Sequence, residues 1–69
     1  MKKYEAIELG TTVLKAYGLL SDASRMLLRQ EDFIHNKEIW KLWQSIGSLQ
    51  KKAFKLYQKC DVFKNKLEY

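Results

Sequence analysis

A chain of 69 residues with no proline, one cysteine, one histidine and a net charge of +5 excludes more than it specifies. It makes one domain at most, and a chain this short buries only roughly 60% of the surface that its unfolded form exposes. One cysteine cannot form an internal disulfide, and one cysteine with one histidine cannot furnish a structural metal site, so oligomerisation is the stabilising device left to expect.

The composition, 46% hydrophobic and 30% charged, belongs to globular chains and not to disordered tails. The lack of proline and the presence of only three glycines favour long helices over a turn-rich β fold. In the opening "MKKYEAIELG" two glutamates stand where a secretory leader would have its apolar run. No uninterrupted apolar stretch approaches the about 18 residues that a membrane span needs. A lone thiol fits a reducing compartment, so the expected location is cytoplasmic and membrane association is not expected.

The first predicted element is a helix over about residues 4–34. Ala6, Leu9, Val13, Ala16, Leu20, Ala23, Leu27, Gln30 and Ile34 follow one another in steps of three and four, with Gln30 the one polar member. More apolar residues border this seam, with Ile7, Leu14 and Leu28 on one side and Leu19, Met26 and Phe33 on the other. An alternative reading takes Gly18 as a stop and Ser21 as a new N-cap, which breaks the helix near residues 18–22 and gives three helices.

A turn at about residues 35–37 follows, where Asn36 is suited to cap a helix and so short a link suits antiparallel neighbours. The second helix, over about residues 38–67, repeats the spacing with Ile39, Leu42, Ile46, Leu49, Ala53, Leu56, Cys60, Phe63 and Leu67. Folded back, the chain sets Ala23 near Leu49, Leu20 near Ala53 and Ala16 near Leu56, so that large residues face small ones as dense packing requires. Trp40, Trp43, Phe54 and Tyr57 border this second seam. Gln30 is read as a polar residue tolerated near the solvent-exposed end of its seam, with a register-setting hydrogen bond to the Trp43 indole as the alternative.

Both helices therefore carry more apolar surface than one partner helix covers. Burying each large side chain is worth ~1.5–3 kcal/mol, and a second copy is the economical way to gain it. The expected architecture is an all-α antiparallel two-helix hairpin, coiled-coil-like, forming a single domain that dimerises into a four-helix bundle. Ile7, Leu14, Leu19, Met26, Leu28, Phe33, Trp40, Trp43, Phe54 and Tyr57 are its expected interface with itself or with a protein partner.

The charge is uneven. Basic and acidic residues balance through residue 35, and the surplus comes from the lysine-rich second half. Lys41, Lys51, Lys52, Lys55, Lys59 and Lys66 fall opposite the seam, a pattern that serves either as a solvated exterior or as a footprint for phosphates. Sequence-specific DNA reading is disfavoured, because that face has no arginine to fork onto guanine and no aromatic residues interleaved with its lysines.

No catalytic, cofactor-binding or metal-binding residues are expected. His35 has Glu31 and Asp32 nearby but no nucleophile beside it, and Cys60 occupies a seam position where cysteine acts as a small hydrophobe. The functional expectation is a small non-enzymatic helical interaction module, self-associating and acting as a regulatory or adaptor protein by binding another protein. Tyr4 and Tyr69 are candidate exposed aromatics for such a partner. The alternative is a basic RNA- or DNA-binding protein that uses the lysine face of the second helix.

Overall fold

Side-chain capping and one line of packing are enough to build this fold. The computed structural model, which describes residues 1–67, consists of helix α1 (Lys3–Leu28) and helix α2 (Lys37–Asn65) joined by residues 29–36. The helices pack side by side in opposite directions as a rod of 52 × 14 × 12 Å. At the start of α1, the Glu5 carboxylate accepts the backbone N–H of Lys2 at 2.9 Å, satisfying a first-turn donor and placing negative charge at the positive end of the helix.

α1 runs without a break through residues 18–22, so the three-helix alternative does not occur. A single glycine costs only about 1 kcal/mol in a helix interior, and the Ser21 hydroxyl is engaged elsewhere. It accepts a hydrogen bond from Gln50 Nε2 at 2.7 Å, across the seam.

The first helix ends at Leu28 instead of continuing to the expected region of Ile34. Arg29 and Gln30 donate their backbone N–H groups to Arg25 and Leu27, and Gln30 Nε2 donates to the Met26 carbonyl, closing the last turn. The chain then passes through tight turns in which Phe33 bonds back to Gln30 and His35 to Asp32. This early exit sets Phe33 edge-on against Trp43, with ring centroids 5.6 Å apart and planes at 86°, a preferred aromatic geometry. Ile34, expected in the seam, is 85% exposed.

Asn36 caps α2 as expected. Its Oδ1 accepts the N–H groups of Glu38 and Ile39 at 3.0 and 3.2 Å, while its Nδ2 donates to Asp32 Oδ2 at 3.2 Å. Replacing it with alanine orphans two donors and should lower stability by about 1 kcal/mol, read from urea unfolding followed by circular dichroism.

The most buried residues of the seam gather at Gly10. Ala6 and Cys60, 1% and 7% exposed, lie here, and Gly10 itself is buried. A Cβ at Gly10 would meet Cys60 Cβ and Tyr57 Cε1, each at 3.9 Å, which is ordinary van der Waals contact. Gly10→Ala should therefore raise stability by about 1 kcal/mol from helix propensity alone; a loss in the same unfolding assay would mean that the helices must approach more closely than this.

Candidate interaction surface

The contact face of each helix is rotated by about half a step from the expected one. On α1 it comprises Ala6, Gly10, Val13, Tyr17, Leu20, Ser24 and Leu27, all buried or half-buried. On α2 it comprises Ile39, Trp43, Ile46, Gln50, Ala53, Tyr57, Cys60, Lys64 and Leu67. The residues at every seventh position starting from Ala6 and from Ile39 are those expected of the seam. Their partners are not. Leu9, Leu42, Leu49, Leu56 and Phe63, expected inside, are exposed, while Trp43 and Tyr57, expected at an interface with another molecule, are half-buried against α1.

Aromatic size accounts for part of this exchange. A tryptophan or tyrosine offers about 150–250 Å² for burial, more than leucine does. Tyr17 adds a tilted contact with Phe54 at 6.0 Å. The exchange also brings Gln50, Ser24 and Lys64 inward, so the inner flank is more polar than the one left outside. Lys64 is held by Asp61 at 3.0 Å. Among the described residues, the buried Trp43 indole Nε1 meets no acceptor, and the Gln30 amide instead bonds Met26.

Antiparallel pairing brings like flanks of the two helices to the same side, as the shared hollow of Ile7 and Asp61 beside Gly10 and Cys60 shows. One side of the rod is thus a leucine flank. Leu42, Leu49, Leu56 and Phe63 recur every seven residues along α2, each between 43% and 56% exposed. The register fixed by Gly10–Cys60 and Ser21–Gln50 sets Leu49 level with Ala23, Leu56 with Ala16 and Phe63 with Leu9, to within a residue. Leu19 and Met26, both exposed, extend this flank over the outer side of α1.

The opposite, tryptophan flank carries Ile7, Leu14 and Leu28 on α1 and Trp40 and Phe54 on α2, all exposed. It is interrupted by Ser21, Gly47 and Asp61. Of the expected interface residues, Phe33 is half-buried on Trp43. Tyr4 is exposed, and Tyr69 lies outside the described residues. The signal that would have found the inner flank was the pair of tyrosines and the glycine at every seventh residue beside the seam, Gly10 and Tyr17 on α1 and Tyr57 on α2.

Lys41, Lys51, Lys52, Lys55, Lys59 and Lys66 are all exposed on the outer arc of α2. His35 is exposed in the connecting segment, and no group of three or more histidine, cysteine, aspartate and glutamate side chains arranged to hold a metal occurs among the described residues. Among the described residues, no helix is long and apolar enough to cross a membrane. Comparison of the chain with family models, curated proteins and solved structures gives no match.

The orphaned indole yields a discriminating pair of substitutions. Trp43→Phe keeps the ring against Phe33 and removes a buried unpaired donor, so its stability should equal or exceed that of the parent. Trp43→Ala removes the ring and should cost about 3 kcal/mol, measured by denaturant unfolding.

Proposed function

We propose that this protein is a non-enzymatic helical interaction module that self-associates through its leucine flank, completing a four-helix bundle, and acts by binding another protein. The observation that carries the reading is the uncovered apolar surface. Among the described residues, sixteen large hydrophobic side chains are exposed, while Ala6 and Cys60 make up the buried hydrophobic core. The accessible surface is 5827 Å², about 1,300 Å² more than the about 4,500 Å² typical of a folded monomer of this mass. That excess, to which the elongated shape contributes, is larger than the roughly 800 Å² per partner that a standard interface covers.

A second copy suits the leucine flank better than a foreign partner does. The flank presents Leu49 and Leu56 beside the small side chains of Ala23 and Ala16, so it holds both the knobs and the holes that a two-fold contact needs. With two copies joined there, Trp40, Phe54, Leu14 and Leu28 stay outward on both sides of the bundle. That remaining patch suits the apolar face of a helix from another protein, which is the basis for a regulatory or adaptor role, and a cytoplasmic setting fits the unpaired Cys60.

Molar mass from light scattering tests the assembly. The parent chain should scatter as twice 8.2 kDa, and Leu49→Glu combined with Leu56→Glu should weaken the dimer at least about a hundred-fold, equivalent to about 2.8 kcal/mol. Leu14→Glu, on the other flank, should leave the mass unchanged. A parent chain that stays monomeric at high concentration while keeping its full helicity would overturn the reading.

A further inference from the structure

The lysines of α2 are arranged as a rail, and neither the intramolecular packing nor the proposed dimer requires them. Lys41, Lys51, Lys52, Lys55, Lys59 and Lys66 are exposed on the side of the helix turned away from α1. Lys52, Lys59 and Lys66 recur every seventh residue, about 10.5 Å apart, and the stretch from Lys51 to Lys66 covers about 23 Å of helix. The acidic residues of α2 do not offset them. Asp61 lies on the tryptophan flank and is paired with Lys64 at 3.0 Å, and Glu38 sits in the first turn. Solubility alone would be served by mixed signs, as on α1, where Glu8, Lys15, Asp22 and Arg25 share the outer face.

We infer that this rail binds the phosphate backbone of double-helical nucleic acid without reading its sequence. A straight, rigid row of point charges matches a rigid polyanion, which carries one phosphate per about 1.7 Å of duplex axis. Ammonium groups give position and affinity but lack the planar fork that distinguishes guanine. A single strand would call for rings interleaved with the charges, and here Phe54 and Phe63 lie on opposite margins of the lysine arc. An anionic membrane would call for an apolar face beside the lysines that could enter the bilayer; the leucine flank borders them on one side, and the self-association proposed above covers it. The rail lies within one chain, so it functions whether or not the protein dimerises; in a dimer it is present twice.

Fluorescence anisotropy with short labelled duplexes of unrelated sequence, DNA in one arm and RNA in the other, tests this directly. With Lys51, Lys52, Lys55, Lys59 and Lys66 on phosphates, log affinity should fall against log salt with a slope of about −4.5. Lys52→Gln, Lys55→Gln and Lys59→Gln together should reduce that slope by about 3 units, at unchanged helicity and unchanged light-scattering mass. Lys15→Gln with Arg25→Gln, on α1, should leave the slope as it was.

Binding to one duplex type and not the other supports the inference and names the source. No binding at low salt overturns it, as does a slope that the triple variant fails to change. A ten-fold preference among unrelated duplex sequences, tighter binding to the single strand, or binding only to vesicles of equal parts phosphatidylglycerol and phosphatidylcholine each overturns it as well. The light-scattering mass is read on the same samples, so a failure of the rail is separate from a failure of self-association.

Discussion

Two helices lying side by side touch along a single line, and a chain of this length has room for no other core. Each side chain turned toward that line leaves another outside it. In this protein the line takes Tyr17, Trp43 and Tyr57 together with Gly10 and Cys60, and it leaves out Leu42, Leu49, Leu56 and Phe63. The placement of the interaction surface, its apolar character and the position of the lysines all follow from that one choice of face. Had the helices met through the leucines, the rings would have formed the outer surface and the lysine arc would have turned with them.

Within the seam, polar contacts do work that apolar packing does poorly. Leucine against alanine tolerates sliding by a turn, whereas the 2.7 Å bond from Gln50 to Ser21 is satisfied in one register only, as a buried polar residue does in coiled coils. Gly10 beside Cys60 marks a second point of close approach, and Phe33 on Trp43 closes the end of the rod next to the connecting segment. These three contacts, spread along the length of the hairpin, hold the two flanks at fixed heights, which is what places Leu49 level with Ala23.

The helical hairpin itself was legible in the chain, as was the cap at Asn36 and one full set of seam residues: Ala6, Val13, Leu20 and Leu27 against Ile39, Ile46, Ala53 and Cys60. The second set was not, for a definite reason. A residue three positions on and a residue four positions on both satisfy the same spacing, one to each side of the recurring position, and counting apolar residues favours the leucines. Ring size, the glycine and the Ser21–Gln50 bond favour the other side, and none of these registers in a hydrophobic period. The end of α1 was missed because no proline or glycine marks it; the last turn is closed by local bonds of Arg29 and Gln30 that leave no trace in a hydrophobic period. The six lysines named from the sequence are all exposed, since the shift of the seam by about half a step still leaves them on the outer side of α2.

A core so thin also bears on how long the molecule lasts. With Ala6 and Cys60 its only buried apolar residues among those described, a solitary chain has little buried surface to hold it closed, and proteases act on opened chains. Any molecule that covers the leucine flank binds the closed form and not the open one, so it protects the chain in proportion to its own abundance. Turnover would then report occupancy: copies with company persist, and copies without it are cleared.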